Sequence, residues 1–332
     1  MDASMQKLLG ALRLGEAGVH GGLAVVPLFA AMKGPEYVTL GEALAAGTLV
    51  VGERGGGTVP ELVTENRGDR AVLVLDGEEL VGAKQDRVAN TTVLIAAGSQ
   101  VVLPVSCVER GRWHDVAPGM IGSRVMAAHS VRSVARESVG AALRRGGSYR
   151  SDQGAVWDAV GHLHDRAHVD SETDAMHAAF DTYEPELAEY RERFPLARGQ
   201  NGVLVLHRGR VAGMDIVSRP EAYAHLHRKL IDSYAMEAVV DGADGAFEPA
   251  VAASFMEKLR DLAGEEFPTP GTGSAMRYSG DGVLGSALVV RGTPVHVAFF
   301  VSETAGDTGR GNRRMSSWTD RRDQLDLSGL TR

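Results

Sequence analysis

The sequence is poor in the features that would place it in a specialised class. Its 332 residues include one cysteine, Cys107, which excludes an intrachain disulfide framework and a cysteine-rich zinc site. No apolar run reaches the roughly 18 residues that a membrane span needs. Basic residues number 35 against 43 acidic residues, and a net charge of −8 is unlike that of a general nucleic-acid binder.

The first residues, 1–7, also lack a basic segment followed by an apolar one, so no secretory signal is expected. We therefore expect a cytoplasmic protein with no nucleic-acid or membrane partner. The sequence leaves its oligomeric state open.

What is present is an ordinary globular composition, with 44% hydrophobic and 23% charged residues, arranged in three regions. Residues 21–116 hold short apolar runs separated by glycine-rich turns, which predicts a β-rich N-terminal half resembling a sandwich or barrel. Residues 123–195 repeat apolar positions at helical spacing and predict a helical middle. Residues 202–301 mix strand and helix patterns. The fold class is therefore α+β, and residues 304–332, with few apolar side chains, are expected to form a disordered tail.

Some elements of the third region also carry boundary signals. Apolar runs at Gly202–His207 and Arg210–Val217 predict a strand pair joined near Gly209. A helix is predicted over 219–239, because Pro220 is well suited to a first helical position.

The most informative polar segment is 75–87. Asp76-Gly77 between two apolar runs predicts a two-residue hairpin turn. Because side chains alternate along a strand, Glu78 and Glu79 should face opposite sides, so that one of them can enter a cleft. The alternative is that both glutamates are solvated residues at a strand end.

Basic and amide side chains follow the two glutamates. Lys84 offers a point charge, and Arg87 offers a planar, bidentate grip on phosphate or carboxylate. Next to carboxylates that could hold ribose hydroxyls, they would suit a phosphorylated ribose compound, and Gln85 and Asn90 lie close enough in sequence to share the cleft. The alternative is a set of surface ion pairs, worth about 0–1 kcal/mol each.

A second polar group ends the apolar run at 100–105. Glu109, Arg110 and Trp113 place an aromatic ring beside charged groups, a combination that could stack on and hold a nucleotide base. Cys107 in the same segment has no identifiable histidine partner and is expected to be a buried, inert thiol. The GxGxxG string at 280–285 precedes a strand rather than a helix, so it is expected to be a loop.

These motifs resemble the family called the ADP-ribosylglycohydrolase, rhodanese and phosphatase-superfamily associated protein domain. The resemblance is carried by residues 76–80, 82–87 and 97–113, which occur in order with tight spacing, and it covers a single domain over 15–303. It implies a role in the metabolism of NAD-derived nucleotides such as ADP-ribose. The candidate site that it carries over consists of Asp76, Glu78, Glu79, Lys84, Gln85 and Arg87. The family pattern has Asn where this chain has Asp86, so no direct ligand role is carried over to that position.

The predicted function is binding of an NAD-derived nucleotide such as ADP-ribose in an acidic and basic cleft, with hydrolysis as a further step. Arg87 and Lys84 would hold phosphate, and Glu78 or Glu79 would hold ribose hydroxyls or activate water. The spacing identifies no metal site and no cofactor, although Mg²⁺ bridging a carboxylate and a phosphate is compatible with it.

Two alternatives remain. One is a non-catalytic ligand-sensing or scaffold protein with a partner-binding surface at the same cluster. The other is a structural ion-pair network at a dimer interface.

Overall fold

The computed structural model describes residues 2–54, 60–114, 119–242 and 245–301. Within these ranges the chain forms eighteen strands in three sheets, together with eight helices. The helices are α1 (Ala3–Ala11), α2 (Leu40–Ala45), α3 (His129–Arg144), α4 (Gln153–Ala167), α5 (His177–Thr182), α6 (Glu184–Arg193), α7 (Pro220–Asp241) and α8 (Pro249–Asp261). The first nine strands are β1 (Arg13–Leu14), β2 (Gly18–His20), β3 (Leu23–Phe29), β4 (Tyr37–Thr39), β5 (Leu49–Glu53), β6 (Glu61–Asn66), β7 (Ala71–Val74), β8 (Glu78–Gly82) and β9 (Arg87–Ala89). The others are β10 (Val93–Ile95), β11 (Gln100–Cys107), β12 (Met120–Met126), β13 (Gly202–His207), β14 (Arg210–Val217), β15 (Ala263–Pro268), β16 (Ser274–Gly280), β17 (Val283–Val290) and β18 (Thr293–Val301).

The largest sheet is antiparallel and joins both ends of the described chain. Its order is β1-β3-β13-β14-β18-β17-β16-β15, with β2 beside β3. Three of its hairpins turn through two residues with positive φ, at Arg208-Gly209, Asp281-Gly282 and Arg291-Gly292. Two-residue turns with positive φ at both positions match the right-handed twist of the paired strands. The GxGxxG string at 280–285 is therefore a hairpin turn with its flanking strand ends, as expected.

This sheet separates two apolar cores because its residues alternate between its faces. Val203 and Val205 pack with α3 and α7 on one side. Leu204 and Leu206 pack with α1 and α8 on the other. Both faces of the central strands are covered, which explains why β13 is apolar at nearly every position.

The N-terminal half contributes a six-stranded sheet, β12-β8-β9-β11-β6-β5, and a three-stranded sheet, β10-β7-β4. The predicted hairpin at Asp76-Gly77 is wrong, because β7 pairs with β10 and β4 while β8 pairs with β9 and β12. The turn itself exists, with the Glu78 amide donating to the Leu75 carbonyl at 3.2 Å and Gly77 at φ +85°. Gly77 instead bonds to Ala89 and Ala127, so the turn carries the chain from one sheet into another.

The architecture confirms the predicted α+β class, with a β-rich N-terminal half, a helical middle and a mixed C-terminal segment. The predicted strand pair at 202–217 and the predicted helix that begins at Pro220 are confirmed. The exposed strand β15 was not predicted, because its sequence has no strand pattern. The single-domain boundaries at 15–303 stay a prediction, and the predicted tail at 304–332 lies outside the described residues. None of the described helices is long and apolar enough to cross a membrane.

Candidate functional site

Glu78 and Glu79 lie at the start of β8, and neither is solvated, since both are 0% exposed. They have different partners, as the alternation of strand side chains predicts. The Glu78 Oε1 atom is 3.0 Å from Lys229 Nζ, and its Oε2 atom accepts from the Leu75 amide at 2.9 Å. Glu78 is therefore neutralised and hydrogen-bonded by the fold.

Glu79 faces Asp86 and His177, and we call these three residues the Glu79 cluster. His177 Nδ1, at the first residue of α5, is 3.7 Å from Glu79 Oε1 and 3.2 Å from Asp86 Oδ2. Neither carboxylate oxygen of Glu79 accepts a hydrogen bond of ordinary geometry from the described residues, although the His177 and Ser123 side chains lie near enough to lower its pKa. Burying an ionised carboxylate without hydrogen bonds costs at least about 1–3 kcal/mol by mutational measures. The position of Glu79 therefore lowers the stability of the folded protein.

The electrostatics of the Glu79 cluster follow from this burial. Desolvation raises the pKa of Glu79 above its ordinary value, and the neighbouring His177 and Ser123 side chains oppose the rise only in part. The nearby carboxylates of Asp86 and Glu79 raise the pKa of His177 to about 10. The cluster therefore combines a proton-accepting carboxylate with a protonated imidazole, and His177 is its one partly exposed side chain.

Asp86 is held in place from its other side. Its Oδ1 atom accepts from the Gly82 amide and from Arg112 Nη2, both at 3.0 Å. Arg112 Nε donates in turn to Glu109 Oε1 at 2.8 Å, and Glu109 Oε2 accepts from the Asp86 amide at 3.0 Å. This arrangement fixes the Asp86 carboxylate with Oδ2 directed at His177.

The predicted basic and amide residues occupy two environments. Lys84 is half-buried, and its Nζ lies 5.7 Å from the ring centroid of Trp113, whose residue is 52% exposed. Arg87 is 1% exposed, and its Nη1 donates to Gln85 Oε1 at 3.2 Å. Gln85 Nε2 donates to the Glu109 carbonyl at 2.8 Å. A phosphate could thus meet Lys84 directly, but it would reach Arg87 only after local rearrangement.

Arg110 and Asn90 point elsewhere. The Arg110 guanidinium lies 5.4 Å from the centroid of the Trp157 ring. Asn90 donates to the Tyr149 carbonyl at 3.0 Å and accepts from Ser106 at 2.5 Å. Neither residue joins the Glu79 cluster.

Asp76 belongs to a separate buried group, which we call the arginine network and define as Asp76, Arg132, Arg136, Asp215 and His296. Arg132 binds Asp215 with two hydrogen bonds, Nη2 to Oδ1 at 2.7 Å and Nη1 to Oδ2 at 3.2 Å. Arg136 binds Asp76 in a very short contact. His296 Nε2 lies 3.3 Å from Asp215 Oδ1.

Both carboxylates of the arginine network are neutralised in place. Tyr234 adds a hydrogen bond to Asp215 Oδ2 at 2.7 Å. Burial opposes ionisation of both acids, but the guanidinium groups prevail and hold the pKa values of Asp76 and Asp215 well below their ordinary range. The network links α3 to β14 and β18. The charges of Asp76 and Asp215 are compensated by arginines within the folded protein.

A surface groove of about 500 Å³ lies beside the two glutamates. Its walls come from α2, β5 and β12, and it is lined by Ser123, which neighbours Glu79, and by Lys229, which binds Glu78. Its lining also includes Gly119, whose carbonyl accepts a hydrogen bond from the amide of Ala83, the residue before Lys84. Its volume falls within the roughly 300–1,000 Å³ of small-molecule sites.

Several residues of these clusters escape sequence reasoning. Arg132 and Arg136 carried a usable signal, because they are four residues apart and so share a helix face, next to the buried apolar positions Val131 and Ala135. Arg112 stands in a flagged segment but could not be distinguished there from Arg110. No pattern marked His177, which is far from Glu79 in sequence. Cys107 is buried as expected, and desolvation raises the pKa of its thiol.

An α+β protein with two separate buried charge clusters is the class that the fold and site define. A family model described as the ARG and Rhodanese-Phosphatase-superfamily-associated Protein domain matches residues 11–300. The chain therefore belongs to this family. No curated protein and no solved structure shows a significant match to it. The match identifies the family and does not identify a ligand.

Proposed function

We propose that the protein binds an NAD-derived nucleotide such as ADP-ribose beside the Glu79 cluster and that Glu79 promotes its hydrolysis. The observation that carries the proposal is the Glu79 carboxylate, which is fully buried and accepts no hydrogen bond from the described residues. Buried acids without adequate hydrogen bonds oppose stability, and such groups concentrate at functional sites.

Each neighbouring group has a role that its chemistry supports. A carboxylate with a raised pKa can accept a proton from an attacking water. A protonated His177 beside it can donate a hydrogen bond to a developing negative charge. The groove beside Ser123 has room for a nucleotide.

Lys84 and Trp113 could supply two further contacts, because Lys84 follows Ala83, whose amide donates to the carbonyl of the groove residue Gly119. Lys84 would hold a phosphate, and the exposed face of Trp113 would stack on the adenine. Glu78 is a weaker candidate for catalysis than Glu79, because Lys229 and the Leu75 amide already satisfy it.

The test is incubation of the purified protein with ADP-ribose, with and without Mg²⁺, followed by chromatographic separation of the products. Recovery of AMP and ribose 5-phosphate would show addition of water across the pyrophosphate. Glu79→Gln should lower turnover about 100-fold or more, because removal of a general base typically costs about 10²–10⁴. Glu266→Gln, at an exposed glutamate of β15, is the matched control and should keep full turnover. Full turnover in Glu79→Gln would remove Glu79 from the mechanism.

A second candidate is a non-catalytic ligand-sensing or scaffold protein with a partner-binding surface at the same place. Two lining residues of the groove favour it, since Ile121 is 65% exposed and Val50 is 41% exposed. Large exposed apolar side chains grouped in one groove are typical of contact surfaces. Saturable ADP-ribose binding without products would support this candidate over the hydrolase.

A further inference from the structure

We infer that Glu79, Asp86 and His177 form a binding site for one divalent transition-metal cation of the Mn²⁺ or Zn²⁺ type. One potential ligand atom from each of the three side chains lies within 4.8 Å of the other two. The inference concerns cation binding itself and does not require that the ligand of the groove be a nucleotide.

The spacing of the ligand atoms is close to what one shared ion requires. Two ligands about 2.1 Å from an ion, at tetrahedral or octahedral angles, are about 3.0–3.4 Å apart. Asp86 Oδ2 and His177 Nδ1 are 3.2 Å apart, and Glu79 Oε1 is 3.7 Å from the same nitrogen. A small rotation of the Glu79 carboxylate would complete the set.

The second observation is the unsatisfied state of Glu79. This side chain is 0% exposed, and neither of its oxygens accepts a hydrogen bond of ordinary geometry from the described residues. A cation is the partner that best relieves such a carboxylate, because it supplies full charge compensation without needing a further donor from the protein.

The surroundings also have the organisation of a metal site. Ligating carboxylates are usually oriented by further hydrogen bonds, and Asp86 Oδ1 is held by Gly82 and Arg112 while Oδ2 remains directed at His177. Among the described residues, Asp86 and Glu109 share one ion-paired guanidinium, that of Arg112, whereas the ion pair of Glu79 is with His177. A divalent cation would displace the Nδ1 proton of His177 and compensate the negative charge of the carboxylates.

The ligand types indicate which cation. Carboxylates alone suit Mg²⁺ and Ca²⁺, whereas imidazole favours transition metals, so a mixed set points to Mn²⁺ or Zn²⁺. Three protein ligands leave at least one coordination position for water, as in catalytic rather than structural sites. That such an open position takes a phosphate oxygen rests on the proposed function.

The experiment is calorimetric titration of the chelator-treated full chain with MnCl₂ and separately with ZnCl₂, with electron paramagnetic resonance to confirm bound Mn²⁺. We expect one ion per chain. Glu79→Gln and His177→Gln should each weaken binding about 10-fold or more, because each removes one ligand. His177 is partly exposed, so this variant should fold even if changes at Asp86 do not.

Glu266→Gln and His162→Gln make the same chemical changes at exposed positions and should leave cation binding unchanged. Absence of binding by the unmodified chain, or affinity equal to that of the unmodified chain in both cluster variants, would overturn the inference. The outcomes also separate the two proposals. If the parent protein binds the cation, His177→Gln loses that binding and the parent does not bind ADP-ribose, the metal site stands and the nucleotide is rejected. ADP-ribose turnover by a chain that binds neither Mn²⁺ nor Zn²⁺ would keep the nucleotide and reject the metal site.

Discussion

The arginine network and the Glu79 cluster are both buried and charged, yet they differ in how their charges are compensated. In the network, Asp215 receives two bonds from Arg132 and one from Tyr234. In the Glu79 cluster, the Glu79 oxygens receive no hydrogen bond from the described residues, and their nearest cationic group is His177 at 3.7 Å.

This difference separates a structural role from a functional one. A buried charge that is paired and hydrogen-bonded becomes costly only when one partner is removed. A buried charge without adequate partners is costly as it stands, and the fold retains it at the expense of stability. We therefore assign the arginine network to stability and the Glu79 cluster to ligand chemistry.

The largest expected effect comes from breaking the arginine network. Asp215→Asn keeps the size of the side chain but removes the charge opposite Arg132, so we expect a loss of about 3–5 kcal/mol in the free energy of unfolding. Urea denaturation at pH 7 measures it. Asp158→Asn, the same change at an exposed position of α4, should stay within about 0.5 kcal/mol of the parent protein. A loss at Asp215 no larger than that at Asp158 would show that the network is not structural.

A smaller effect is expected from His129, which stacks on Tyr234 at the edge of the arginine network. Burial lowers the pKa of His129 to about 4, despite the opposing carboxylate of Glu237. His129 in the unfolded chain has an ordinary pKa near 6.5. Between about pH 4 and 6.5 the unfolded chain therefore binds more protons than the folded protein. Unfolding free energy should fall as pH decreases from about 6.5 toward 4, by up to about 3 kcal/mol from this residue.

His129→Gln isolates this contribution, because glutamine can still donate to the Ala212 carbonyl that His129 Nε2 contacts at 2.9 Å. The difference in unfolding free energy between the parent and this variant should shrink on acidification. Other histidines with lowered pKa values, such as His207, titrate in both proteins and cancel in the difference. A pH-independent difference would contradict the neutral, buried state assigned to His129.

The sequence predicted the elements whose signals are local. The pair β13 and β14 was predicted to its end residues because Gly209 lies at a turn that needs positive φ between two apolar runs. Pro220 marked the start of α7 for a similar reason. β15 carries glutamates at Glu265 and Glu266 and is mostly exposed, so its place in the sheet depends on pairing with β16 rather than on its own pattern.

The site was predictable only in part, for the same physical reason. Alternation along β8 correctly indicated that Glu78 and Glu79 have different surroundings, but not that Lys229 would neutralise one of them. Asp76 adjoins these residues in sequence and yet joins the arginine network, because the turn at Gly77 passes between two sheets. Which charges are compensated is a property of tertiary packing, which local patterns do not encode.

The most direct test of this account is the free energy of unfolding of Glu79→Gln, measured by urea denaturation at pH 7 in chelator-containing buffer. The substitution removes a buried charge that the described residues leave without hydrogen bonds, so we predict a protein as stable as the parent or more stable by up to about 2 kcal/mol. A loss comparable to that of Asp215→Asn would show that Glu79 is compensated within the fold and would contradict its assignment to ligand chemistry.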